Sequence, residues 1–94
     1  MSEYGFNPTI HAPNRLQICA FLAQVKEIEF KTLKERLDVS DSVLSKHLKT
    51  LEESGYIYLD KRNLNGRARS WIGFTDSGKK AYEGHVAELR ALLN

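Results

Sequence analysis

Cysteine and long apolar runs are scarce in this sequence. Cys19 is the only cysteine among 94 residues, which excludes an internal disulfide and leads us to expect a reducing, cytoplasmic location. No stretch approaches the roughly 20 apolar residues of a membrane helix, so we expect no membrane partner. The first residues also lack the basic region and apolar stretch of a secretory signal. The length is that of one domain, which can fold without metals or disulfides.

Sequence patterns of catalysis and of metal binding are missing as well. There is no glycine-rich phosphate loop after a strand, no nucleophile elbow and no paired-histidine motif. A four-ligand zinc site would have to combine Cys19 with three scattered histidines. We therefore predict that the protein is not an enzyme and has no catalytic residue, metal site or cofactor. Cys19 lies on an apolar helical stripe, which favours a buried core thiol over a redox-sensitive one.

What the sequence does have is positive charge in its middle. The net charge is +2, but residues 1–30 carry −1 and residues 72–94 are balanced. Residues 31–71 carry nine Lys or Arg against six Asp or Glu, which gives +3. All of the excess therefore lies in one segment, and this distribution indicates an anionic partner.

Hydrophobic periodicity divides the first half of the chain into short helices. Residues 1–13 show no sustained period and are predicted to form an arm or loop. Apolar stripes at helical spacing then predict three helices, over 14–25, 31–37 and 41–54. Residues 28–30 are too short for more than a bridge or an edge strand. Helix, tight turn and helix within 31–54 is the spacing of a helix-turn-helix unit.

After Gly55 the period changes to two residues, which predicts strands. Asn65-Gly66 is a hairpin cue, so the segment from about 56 to 74 is predicted to be a two-stranded hairpin. Thr75 is suited to cap a last helix that runs to the C-terminus. The apolar seam of that helix consists of Tyr82, Val86, Leu89 and Leu93. One small domain cannot cover such a seam on both sides, so we predict a two-fold homodimer through it.

The helix over about 41–54 carries an apolar stripe and an opposite face without acidic residues between Ser42 and Leu51. That face consists of Ser42, Ser45, Lys46, Lys49 and Thr50. Lys and Ser can reach base edges and phosphates from a helix in the major groove of DNA, although they also suit an ordinary solvated face. For His47, DNA contact and packing at the helix boundary both fit the spacing. His11 and His85 show no partner and are expected at the surface.

Four cations lie near the two ends of the predicted hairpin strands, and these are Lys61, Arg62, Arg67 and Arg69. Like charges on one hairpin repel each other, and a nearby phosphate backbone would relieve that repulsion. We therefore expect phosphate or minor-groove contacts from these side chains. The alternative is a hairpin whose edge charges only prevent aggregation.

The stretch from Val39 to Ile57, with Ser-Lys-His-Leu-Lys-x-Leu-Glu at 45–52, resembles the recognition-helix segment of bacterial and archaeal winged-helix regulators. Phe74-Thr75-Asp76-Ser77-Gly78 resembles the Thr-x-x-Gly element that opens their final helix. The resemblance extends from about residue 14 to residue 93. It is strongest to small MarR-like and PadR-like proteins and more distant to ArsR-like ones, whose paired metal-sensing cysteines are missing here.

The resemblance implies a mainly helical winged helix-turn-helix fold with a small β-hairpin wing. In this scheme 1–13 form an N-terminal arm, 14–74 the DNA-binding domain and 75–94 a dimerisation helix. The implied function is sequence-specific binding of double-stranded DNA by a homodimeric transcriptional regulator, with helix 41–54 in the major groove. Whether a small-molecule effector acts is left open. The alternative is a winged helix that binds another protein, although a basic wing argues against it.

Overall fold

The structure, a computed structural model, describes residues 5–94 of the chain. This part forms five helices and three strands, and none of these helices is long and apolar enough to cross a bilayer. In chain order they are α1 (Pro8–His11), α2 (Pro13–Leu22), β1 (Ile28–Glu29), α3 (Phe30–Leu37), α4 (Asp41–Glu53), β2 (Ile57–Leu64), β3 (Arg67–Phe74) and α5 (Asp76–Leu93). The arrangement confirms the predicted fold class, which is mainly helical with a small sheet.

The strands form one antiparallel sheet in the order β1-β3-β2. β2 and β3 pair along their whole length, from Ile57 opposite Phe74 to Leu64 opposite Arg67, and so form the predicted hairpin. Its two-residue turn, Asn65-Gly66, has φ angles of 53° and 77°, and positive values at both positions are what a type I′ turn requires. The predicted bridge is β1, which pairs with only two residues of β3.

Alternation along the hairpin separates an inner face, turned toward the helices, from an outer face. Ile57 and Ile72 on the inner face are 2% and 0% exposed and belong to the same core as the buried residues of α2, α3 and α4. The outer half of the hairpin, near the turn, has mostly exposed side chains. The inner face therefore anchors the base of the hairpin, while its tip projects from the domain.

Helix α4 is fixed by a buried stripe and by a cap at its start. Leu44, Leu48 and Leu51 are at most 1% exposed and lie in the core. The Ser40 side chain accepts a hydrogen bond at 3.2 Å from the backbone N–H three residues ahead, which satisfies a free amide of the first turn. The chain leaves the helix through Gly55 at φ 78°, a left-handed conformation that suits glycine. The helix agrees with its predicted range to within one residue.

The prediction of a loop before residue 14 is wrong for residues 8–11, which form the helical turn α1. The Asn7 side chain caps this turn by accepting a hydrogen bond from the Ile10 N–H at 3.0 Å. Ile10 is fully buried and belongs to the core. A single turn is too short to show a hydrophobic period, which explains why the sequence pattern did not reveal it. The first four residues of the expected arm lie outside the described residues.

The expectation that His11 and His85 lack partners is also wrong, and only His11 lies at the surface as expected. His85 is 0% exposed, and its Nδ1 accepts the backbone N–H of Asn7 at 2.9 Å. The His85 Nε2 lies 3.1 Å from Nδ1 of His11, and Phe6 packs against both rings. Because Nδ1 accepts a hydrogen bond from an amide, His85 is held in its neutral form with the proton on Nε2. The pair joins the N-terminal segment to α5.

The start of α5 packs directly on the backbone that follows α4. Thr75 accepts the Gly78 N–H at 3.0 Å and donates its hydroxyl to the Gly55 carbonyl at 2.6 Å. A Cβ on Gly78 would overlap the carbonyl oxygen of Tyr56, which itself accepts the Thr75 N–H at 3.0 Å. Thr75 therefore caps the first turn of α5, and Gly78 allows that turn to lie against the backbone of Tyr56.

We predict that Gly78→Ala lowers the free energy of unfolding by about 2–3 kcal/mol, because the added methyl group must displace backbone and not a flexible side chain. Equilibrium urea unfolding measures the change. The matched control is Ser77→Ala, an exposed neighbour in the same helical turn, for which we expect a change within about 0.5 kcal/mol. Equal stability of the two variants would contradict the close packing described above.

We predict that stability falls as the pH is lowered below about 6.5, the ordinary pKa of histidine. Burial, followed by the nearby His11, lowers the pKa of His85. The folded state therefore favours the neutral ring, so the contribution is complete above the unfolded pKa and is lost as the pH falls through the folded pKa. Urea unfolding between about pH 7.5 and pH 5 should show a shallower loss for His85→Gln than for the parent protein. His47 also has a lowered pKa, so His47→Gln serves for comparison. Parallel curves for the parent protein and His85→Gln would contradict the prediction.

Candidate nucleic-acid interface

The face of α4 opposite its buried leucines carries small and basic side chains that are exposed to solvent. We call this the recognition face, and it consists of Ser42, Ser45, Lys46 and Lys49. Val43, 38% exposed, lies on its margin. Among residues 5–94, no carboxylate lies within ion-pairing distance of Lys46 or Lys49. Both ammonium groups are therefore available to an external anion.

The two remaining candidate residues of α4 lie at the edge of this face. His47 is half-buried against the start of α2, with Nδ1 at 3.3 Å from Nη1 of Arg15 and Nε2 at 3.3 Å from Nδ2 of Asn14. Burial, then the charges of Arg15 and Lys46, lowers the pKa of His47. Thr50 donates its hydroxyl to the Lys46 carbonyl at 3.2 Å. The structure thus places His47 at the boundary between α4 and α2.

The four cations of the hairpin do not share one face. Lys61 lies on the inner side, where it lines a groove together with Ser45, Lys49 and Glu52 of α4. Arg62, Arg67 and Arg69 alternate onto the outer side, with Arg67 next to the turn. No described carboxylate pairs with Lys61 or Arg67. The unpaired positive charge of the hairpin is therefore at its tip and along the groove that faces α4.

The other two arginines are neutralised within the protein. Arg62 contacts Glu27 at 2.8 Å and Asp60 at 2.9 Å, and Arg69 contacts Glu29 at 3.3 Å. The hydrogen bond from Arg62 is the main reason that the pKa of Glu27 lies below its ordinary value. Repulsion among the four hairpin cations is thus relieved in part by carboxylates of the chain itself.

The C-terminal part of α5 leaves large apolar side chains uncovered. Tyr82, Val86 and Leu89 are half-buried, and Leu93 at the end of the helix is 83% exposed. Leu92 beside it is 69% exposed. The end of the predicted seam is therefore an apolar surface on the single chain, whereas Tyr82 packs against the core, with its ring centroid 5.8 Å from that of Phe74.

Cys19 is buried, as its apolar stripe predicted. Burial raises the pKa of its thiol to about 12, and the opposing effect of Arg15 is smaller. A thiol with this pKa carries almost no thiolate at neutral pH and is therefore a poor nucleophile. Within residues 5–94, no three His, Cys, Asp or Glu side chains lie together in a way that could hold a metal ion.

Comparison with known proteins assigns the chain to a family. The family model of winged helix DNA-binding domains matches residues 14–93, so the chain belongs to that family. An uncharacterized protein of Methanocaldococcus jannaschii is 36% identical over 78 residues, which is 83% of this chain and 85% of that protein. The family match confirms the resemblance to winged-helix DNA-binding proteins that the sequence showed.

Solved structures show the same fold. A transcriptional regulator homologue from Pyrococcus horikoshii OT3 superposes with a TM-score of 0.85 at 26% identity, covering 90% of this chain and 84% of that one. The YusO protein of Bacillus subtilis superposes with a TM-score of 0.80 at 21% identity, covering 90% of this chain and 60% of that one. At that identity the second likeness concerns the fold alone. The fold of the chain is that of a winged-helix transcriptional regulator.

Sequence reasoning missed the acidic partners of the hairpin. Glu27 directly precedes β1 and Glu29 is its last residue. They lie 35 and 40 positions away from Arg62 and Arg69, the arginines that they contact. One signal was available in principle. The Asn65-Gly66 turn fixes the register and so places Arg62 directly opposite Arg69. Two arginines that face each other across a hairpin favour acidic neighbours, but no sequence pattern identifies Glu27 and Glu29 as those neighbours.

Proposed function

We propose that this protein is a sequence-specific double-stranded DNA-binding transcriptional regulator that acts as a homodimer. The observation that carries the proposal is the recognition face, which is exposed and free of acidic partners on a helix whose opposite stripe is fully buried. A helix of this kind fits the major groove, where Lys and Ser side chains reach base edges and phosphates. Binding and not catalysis would then be its activity, in the cytoplasm that the single cysteine led us to expect.

The hairpin is proposed to contact the DNA backbone or the minor groove through its unpaired cations. Lys61 borders the groove shared with α4, and Arg67 lies beside the turn. Long basic side chains at these places can reach phosphates while α4 occupies the major groove. A winged helix that binds a protein instead is less well supported, because the recognition face and the hairpin tip are basic rather than apolar.

The proposed dimer uses the apolar seam of α5. Leu93 and Leu92 are the most exposed large apolar residues of the described chain. Their place at the end of the longest helix leaves room for a second copy related by a two-fold axis. Half-sites on the DNA would then lie about one helical turn, or a multiple of it, apart.

We predict that variants of α4 and of the hairpin weaken DNA binding in different ways. Lys46→Ala or Ser45→Ala should cost about 1–3 kcal/mol on a selected site and reduce the preference over random duplex. Lys61→Ala or Arg67→Ala should weaken binding to all sequences and lower the salt slope by about one for each phosphate that is no longer neutralised. Lys80→Ala, an exposed cation of α5, is the matched control. Affinity is measured against salt concentration on the selected site and on random duplex. If sequence preference changed only in the hairpin variants, the roles proposed for α4 and for the hairpin would be reversed.

We predict that Leu89→Asp converts the dimer to a monomer, because a carboxylate would be buried without a partner in the seam. Sedimentation at micromolar concentration measures the state of assembly. The matched control is Ala87→Asp, an exposed position of α5 outside the seam, which should leave the dimer intact. A parent protein that is already monomeric under these conditions would rule out the proposed interface.

A further inference from the structure

The outer face of the hairpin contains an unfavourable pair of like charges. Arg62 and Arg69 occupy directly opposite positions on β2 and β3. Side chains at such positions point to the same side of the sheet, and like charges there destabilise the pairing. Negative charge close to the two guanidinium groups would offset this repulsion.

Two glutamates from outside the hairpin supply that charge. Glu27 accepts hydrogen bonds from Arg62 at 2.8 Å and from the Tyr58 hydroxyl at 3.0 Å. Glu29 accepts from Arg69 at 3.3 Å. The two glutamate side chains are only 21% and 17% exposed, whereas the two arginines are 39% and 41% exposed. The two carboxylates are thus the more buried partners, and the two arginines contact them from the hairpin.

The absence of a side chain at Gly73 supports the same contact. Gly73 lies directly opposite Tyr58, and the Tyr58 ring occupies the space that a Cβ on Gly73 would take. The ring therefore lies across the outer face of β3, where its hydroxyl reaches Glu27. Further along, the Arg62 guanidinium lies 5.4 Å from the centroid of the Trp71 ring, a distance typical of a cation–π contact.

These contacts matter because little else holds the outer half of the hairpin. β1 pairs with β3 only at Ile72 and Trp71, so the strands continue toward the turn without a third strand beside them. Lys61 and Arg67 both lie in this outer half. The direction in which the hairpin leaves the domain decides how far these two cations stand from α4.

We propose that Glu27 is a positioning residue for DNA binding, which acts by tethering the hairpin through Arg62 and Tyr58. This inference rests on the proposed function and gives Arg62 a role inside the protein and not on a phosphate. With the tether, the free protein holds its hairpin in the direction that DNA binding requires. Without it, the hairpin samples several directions and must be ordered when DNA binds, which lowers affinity.

The sign of the effect separates this proposal from simple electrostatics. Replacing a glutamate by a neutral residue makes the protein more positive, which by charge alone strengthens binding to DNA. The tether predicts the opposite result for Glu27. Glu35 provides a matched control, because it is an exposed glutamate of α3 with no ion-pair partner among the described residues.

The experiment compares Glu27→Ala with Glu35→Ala and with Arg62→Met, using the full chain and duplex DNA. We expect Glu27→Ala and Arg62→Met each to weaken binding by about fivefold, with an unchanged salt slope because the contacts in the complex are the same. Glu35→Ala should bind as tightly as the parent protein or more tightly. Tighter binding by Glu27→Ala, or a salt slope lowered by about one in Arg62→Met, would overturn the proposal.

Two measurements without DNA test the tether separately from the proposed function. Trp71 is the only tryptophan, so its fluorescence responds to changes in its surroundings, which include the Arg62 guanidinium. Glu27→Ala should change the Trp71 emission and speed amide exchange in the outer half of the hairpin, while α2 and α4 keep the exchange rates of the parent protein. Gly73→Ala, which displaces Tyr58 without changing charge, should speed exchange in the same amides. Unchanged hairpin exchange in both variants would overturn the tether, whereas a parent protein that binds no duplex would overturn the proposed function.

Discussion

The burial of three leucines on one side of α4 is the constraint on which the rest of the molecule depends. Leu44, Leu48 and Leu51 recur at spacings of four and three residues and are essentially inaccessible to solvent. Rotation of the helix about its axis would expose one of them, at a cost of about 1.5–3 kcal/mol for a whole side chain. The rotation of α4 is therefore set by the core. The residues that remain outside are those of the recognition face, because 100° separates successive residues of a helix.

The hairpin distributes its charges by the same kind of geometric rule. Alternation places Lys61 toward α4 and Arg62 away from it. One neighbour is left unpaired and the other is matched by Glu27 and Asp60. A count of basic residues would treat the two alike, although their surroundings differ completely. The electrostatic character of the hairpin is thus a property of its faces and not of its composition.

Much of this fold could be predicted from local patterns, and the exceptions have a common cause. Helix α4 and the hairpin were predicted closely because each carries a period and a turn or cap at its end. The buried position of His85 was not predicted, because its partners Asn7 and His11 lie more than 70 positions away along the chain. The same holds for Glu27, whose partners come from β2. Contacts between distant polar residues leave no period in the sequence, whereas apolar stripes do. The solvent-exposed face of α4 could therefore be predicted from the sequence, whereas the ion-pair partners of Arg62 and Arg69 could not.

The turn at the end of the hairpin also restricts how this element can vary. Asn65 and Gly66 connect the strands with two residues, the shortest common loop of a hairpin. Such a loop has no spare residue to absorb an insertion, so one added residue in either strand would shift the register. A shift by one position would turn Lys61 outward and Arg62 inward, since successive side chains point to opposite faces. The reach of this hairpin can therefore change only in steps of two residues in each strand.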